Sequence, residues 1–169
     1  MAHNIVQNSN DENSVGVDEG LVIVVENNDF KNMNDMVSTN PSNWPVNNDR
    51  KRIWLVQCSP YRHSATSFPL NKEGRKFSSF HFKQRMSNGE KVRRSWLIYS
   101  TINDAVYCFC CKLFCANKFS LSSNEGCRDW KNMSLIIKRH ETSTAHINSY
   151  QDWKGLELRI KGGTTLIRN

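Results

Sequence analysis

Apolar and polar positions fall into two regimes along this chain. From Trp44 onward, aromatic and aliphatic residues recur in short clusters; before it they are sparse. Trp96-Leu97-Ile98-Tyr99 and Val106-Tyr107-Cys108-Phe109 read as two short strands around a turn at Asn103-Asp104. Further on the period lengthens. Asp129 is placed to cap a helix from Trp130 to about His140, and Met133, Ile136, Ile137 and His140 share one face of it. Thr142-Ser143-Thr144 then offers a cap for a second helix through Tyr150, Trp153, Leu156 and Ile160. The pattern predicts a small α+β module, a β-hairpin followed by two C-terminal helices.

Charge divides the chain at the same place. Residues 1–48 carry seven acids against the single base Lys31, a net of −6, and 12 of them are Asn. Residues 49–169 carry a net of +13. Of the 17 aromatics only Phe30 precedes Trp44, so the first stretch has little to bury against the entropy of ordering it. The expected organisation is a disordered acidic, Asn-rich tail over 1–43 and a basic region over 44–92 packed on the module. The module itself covers 93–160, and 161–169 is a flexible end. No apolar run approaches the ~20 residues of a membrane span, and the first residues lack the basic and apolar blocks of a signal peptide. A reducing compartment is expected.

In that setting crowded cysteines point to metal more than to disulfides. All six cysteines lie from Cys58 onward, five of them between Cys108 and Cys127, with one C-x-x-C at Cys108 and Cys111. His140 and His146 follow in R-H-E-T-S-T-A-H. Two thiolates and two imidazoles complete a tetrahedral zinc shell. Six residues carry His146 about 240° round an unbroken helix, so the pair requires the break at Thr142-Ser143. Competing donors are Cys110, which points away from Cys111 if the strand continues, and Cys115 or Cys127, either of which could replace a histidine. Cys58 reads as a small buried hydrophobe, and His3, His63 and His81 as surface or packing residues. The metalloprotease H-E-x-x-H needs histidines four apart, and these are six apart. A shell of four protein donors leaves no position for a reactive water, so the zinc is expected to be structural, one per chain.

The runs R-K-F-S-S-F-H-F, S-N-G-E-K-V-R-R-S-W-L-I-Y-S, Y-C-F-C-C-K-L-F, D-W-K-N-M and H-E-T-S-T-A-H together resemble the TTF-type zinc finger of hAT-superfamily transposases. The likeness extends to their domesticated relatives, including zinc finger MYM-type protein 1-like proteins. It runs from about Asn43-Trp44-Pro45 to Trp153-Lys154-Gly155-Leu156. It implies a zinc-dependent, DNA-associated module related to BED-type fingers, with zinc ligation on Cys108, Cys111, His140 and His146. Such relatives often lack a cysteine at position 110 and carry an aromatic at 127, which argues against Cys110 and Cys127 as ligands. They continue into an RNase H-like catalytic core, whereas this sequence ends at Asn169 in G-G-T-T-L-I-R-N. The expectation is therefore a nuclear DNA-binding protein without enzymatic activity, a truncated transposase derivative with no small-molecule substrate.

Phosphate contacts are expected from Arg75, Lys76, Lys83, Arg85, Lys91, Arg93 and Arg94 before the hairpin, and from Lys131, Lys138 and Arg139 on the first helix. No residue is assignable to a base edge. The alternative is a nuclear protein-interaction adaptor that does not touch DNA. Leu21, Val22, Ile23, Val24 and Val25, flanked by Asp18, Glu19 and Glu26, resemble a SUMO-interacting segment that adds a strand to a partner's sheet edge.

Overall fold

The computed structural model describes residues 38, 40–44, 48–58, 67–116 and 119–163. Most of the acidic tail, Leu21–Val25, His3, His63 and residues 164–169 lie outside that set. The architecture is α+β, with two small antiparallel hairpins and four helices among the described residues.

The centre is the hairpin of β3 (Leu97–Ser100) and β4 (Ala105–Cys108), paired Leu97 to Cys108 and Ser100 to Ala105. Every residue in both strands is buried, so neither face meets water. That explains the unbroken apolar runs where a half-exposed hairpin would alternate. Asp104 turns the chain between the strands at a φ of 45°. One side carries an aromatic group in which Phe77 stacks on Tyr99 at 5.3 Å and meets Phe68 and Trp130 edge-on.

The core extends back beyond Trp44. Asn40 is buried, and its Oδ1 accepts from Ser100 Oγ at 3.2 Å and Asn103 Nδ2 at 3.0 Å. Trp44 meets Phe109 edge-on at 5.5 Å. Helix α1 (Asp49–Cys58) buries Ile53, Trp54, Leu55 and Val56, which ties the basic region onto the module. Cys58, by contrast, is exposed. It is the last residue of α1, beyond the buried turn, so the expectation of a buried hydrophobe is corrected.

A second hairpin was not foreseen. A 3₁₀ turn (Ser79–Phe82) leads into β1 (Lys83–Arg85), which pairs with β2 (Lys91–Arg93). After β4, a short helix α2 (Phe109–Phe114) follows directly. The loop beyond it returns so that Cys127 bridges Val106 and Leu121 O accepts from Cys108 N at 2.7 Å. Helix α3 (Met133–Glu141) begins three residues later than expected. The intervening turn is held by Asp129, whose carboxylate accepts from the backbone and side-chain nitrogens of Asn132. Helix α4 (Thr144–Lys161) packs against α1 and α2, with Trp153 edge-on to Phe109 at 4.9 Å. Among the described residues no helix is long and apolar enough to cross a membrane.

Candidate metal centre

Cys108 closes β4 in an extended conformation and is the N-cap residue of α2, so Cys111 falls in the first turn of that helix. His140 is the penultimate residue of α3, and His146 lies in the first turn of α4. Ser143 joins the two histidines: its hydroxyl donates to His140 O at 2.8 Å and accepts from His146 N at 3.3 Å. The predicted break thus fixes both imidazoles through one N-cap.

The donor atoms of Cys108, Cys111, His140 and His146 lie within 4.8 Å of one another, and all four residues are buried. Cys108 Sγ is 3.4 Å from His146 Nδ1. Cys111 Sγ is 3.4 Å from His140 Nε2 and 3.6 Å from His146 Nδ1. A tetrahedral zinc with its usual bond lengths has S···N edges of about 3.6 Å, and these three separations lie close to that value. The Trp96 ring lies 4.7 Å from that of His146 and 5.5 Å from that of His140, closing one side to water.

The thiols respond in opposite senses: burial, then the hydrogen bonds with Cys110 and Cys111, pushes the Cys108 thiol well up. Hydrogen bonds from the Cys108 and Cys110 thiols, and then from His140 and His146, hold the Cys111 thiol far below the usual range. Burial pushes the Cys110 thiol up. Cys110 does not point away, as a continued strand would require. Because a helix starts at Phe109, its Sγ sits 3.4 Å from Cys108 Sγ and 3.7 Å from His146 Nδ1, beside the four-donor group yet outside it. Cys115 and Cys127 also lie outside it.

The expected phosphate contacts divide into three. Lys83 stands opposite Arg93 and Arg85 opposite Lys91, and these four exposed cations line a concavity of about 710 Å³ with Ser78, Ser79, Phe80 and Phe82. Arg75, Lys76, Lys131, Lys138 and Arg139 are exposed but do not line it. Arg94 is a correction. Its Nε and Nη2 donate to the Glu141 carboxylate at 2.7 and 3.1 Å, and its Nη1 donates to His81 O and Lys83 O. Both side chains are nearly buried, so Arg94 is an internal brace. Its partner lies 47 residues away, and no local pattern announces it. Of the Thr142-Ser143-Thr144 run that the sequence offers as a cap, Ser143 is the residue that fills it.

The chain is 39% identical to zinc finger MYM-type protein 5 of Homo sapiens over 127 residues, covering 75% of this chain and 19% of that protein. Against the Mus musculus protein of the same name it is 33% identical over 140 residues, covering 82% of this chain and 22% of the relative. It therefore spans about a fifth of the length of these relatives. No family model matches the chain, and no solved structure does. Four buried Cys and His donors cluster to hold one metal ion, and the homologues are zinc finger proteins; the ion is a structural zinc.

Proposed function

From this homology to MYM-type zinc finger proteins, we propose that the chain is a nuclear, zinc-stabilised DNA-binding module of TTF type, derived from a hAT-type transposase. Cys108, Cys111, His140 and His146 hold the ion, which closes the fold and supplies no open coordination position. It binds and does not catalyse. The observation that carries the reading is the exposure of nine of the ten expected phosphate-contacting bases on a scaffold with a net of +13 over residues 49–169. Clustered Lys and Arg gain affinity by displacing counterions from phosphates. The MYM-type relatives support the zinc finger part of this reading, and the motifs from Arg75 to His146 support the TTF and hAT part.

The second reading, an adaptor for nuclear proteins such as SUMO, is favoured by the acids around Leu21–Val25, a segment outside the described residues. The test measures zinc content of metal-replete full chain, then its affinity for DNA across a range of salt. One zinc per chain, with affinity falling steeply as salt rises, is expected. A zinc-loaded chain indifferent to DNA at low salt would overturn the DNA reading and leave the adaptor.

A further inference from the structure

The β1–β2 hairpin is unusual in what it leaves unneutralised. Its register sets Lys83 against Arg93 and Arg85 against Lys91, and residues opposite or two apart share a face, so all four cations project from one side. Directly opposed like charges destabilise a hairpin. Among the described residues none of the four makes an ion pair. The nearby Glu90 carboxylate instead accepts from Asn88 Nδ2. A surface built at a cost in hairpin stability gains when a polyanion covers it.

Two features narrow the polyanion. The concavity is lined by the Phe80 ring, which is 67% exposed although the next two residues, His81 and Phe82, are half-buried. Its lining includes the exposed Ser78 and Ser79, whose hydroxyls suit phosphate or sugar oxygens. In a duplex the base faces are covered by their neighbours, so a protruding phenyl ring meets only backbone. In a single strand each base offers a free face, and aromatic stacking beside a basic track is how such strands are held without sequence preference. The hairpin is also held in place for this. Arg94 N donates to Phe82 O, and the Arg94 guanidinium ties His81 O and Lys83 O to Glu141, the neighbour of His140.

We propose that the basic face of the β1–β2 hairpin is a single-stranded nucleic-acid site, with Lys83, Arg85, Lys91 and Arg93 following the phosphates and Phe80 stacking on an unpaired base. This rests on the nucleic-acid reading above and deepens it: the module prefers unpaired or locally opened strands to intact duplex.

The test uses the zinc-loaded full chain and fluorescence anisotropy with a mixed-sequence single-stranded oligodeoxynucleotide and its duplex, each across a salt series. Variants are Phe80→Ala, Phe80→Trp and the pair Lys83→Gln with Arg93→Gln, checked for zinc content and circular dichroism. Phe80→Ala should weaken single-strand binding about tenfold and leave duplex binding unchanged, with Phe80→Trp restoring it. The paired variant should flatten the single-strand salt slope by about 0.7 for each charge removed. Single-strand binding that ignores Phe80 would overturn the stacking site, while the nucleic-acid reading stands. Unchanged salt slopes in the paired variant would move the phosphate track off this hairpin. Binding of neither strand form at low salt would remove the underlying reading as well.

Discussion

Gly126 has a φ of 70°, and a Cβ there would lie 2.6 Å from Cζ of Tyr107. That ring is fully buried and cannot retreat, because Tyr107 Oη donates to Asn124 O at 3.1 Å and accepts from Asn103 Nδ2 at 2.8 Å. Gly126→Ala therefore adds a clash to left-handed backbone strain and should cost about 2–4 kcal/mol in denaturant unfolding. Gly89 is the control: its φ is 86° but nothing lies within 4 Å of its Cβ position, so Gly89→Ala should cost only about 1 kcal/mol. Equal losses would mean that Tyr107 yields. A second residue carries a pH signature. Tyr99 Oη donates to Asp104 Oδ1 at 2.6 Å, and burial, then that bond and the carboxylate charge, raise its pKa well above the ordinary value. A raised folded pKa means the proton is held more tightly folded than unfolded. The stability it contributes is complete below about pH 10 and is lost as pH climbs through the folded value. In an ultraviolet titration Tyr99 should stay protonated where exposed tyrosines ionise, and Asp104→Asn should bring its transition down. A wild-type transition at the ordinary pKa would refute the link.

At the scale of elements, the metal centre and the basic hairpin are joined through Arg94. Glu141 follows His140 at the end of α3, and its carboxylate receives both guanidinium bonds while the same guanidinium holds β1 by Lys83 O. Removing one partner of a nearly buried, bidentate pair leaves the other charge uncompensated. Glu141→Gln should therefore cost about 2–4 kcal/mol and speed amide exchange across residues 83–93, with zinc content unchanged. Exchange at the wild-type rate in those strands would show that the hairpin stands alone. What the sequence revealed follows from the same contrast between local and distant causes. The strands β3 and β4, the Ser143 cap and the gathering of Cys108, Cys111, His140 and His146 all have local signatures, namely apolar runs, a capping hydroxyl and ligand spacing. The β1–β2 hairpin has none, because Lys83-Gln84-Arg85 and Lys91-Val92-Arg93 bury almost nothing and read as a charged loop. Cys110 was misplaced for a related reason: the switch from strand to helix after Cys108 is set by packing of α2 on α4, which no alternation encodes.

For the whole molecule, the four donors come from three segments that the chain brings together late: the β4–α2 junction, the end of α3 and the start of α4. The ion closes these ends beside Trp96, while Trp44 and Trp153 each meet Phe109 edge-on, the second contact tying α2 to α4. Structural zinc contributes roughly 10–16 kcal/mol in finger peptides, comparable with the whole stability of an ordinary domain at about 5–15 kcal/mol. The ion is therefore expected to carry a large share of the stability of this fold. Chelation should abolish cooperative thermal unfolding and shift tryptophan emission to the red as Trp96 meets water. Cys108→Ser and His146→Ala should each reproduce that state with zinc present. Acid should do the same, since protons compete with the metal for imidazole and thiolate. The ion is then lost as pH falls, in the opposite sense to the Tyr99 transition. A chelated chain that still melts cooperatively would assign the fold to its core and reduce the metal to a local clasp on the α3–α4 corner.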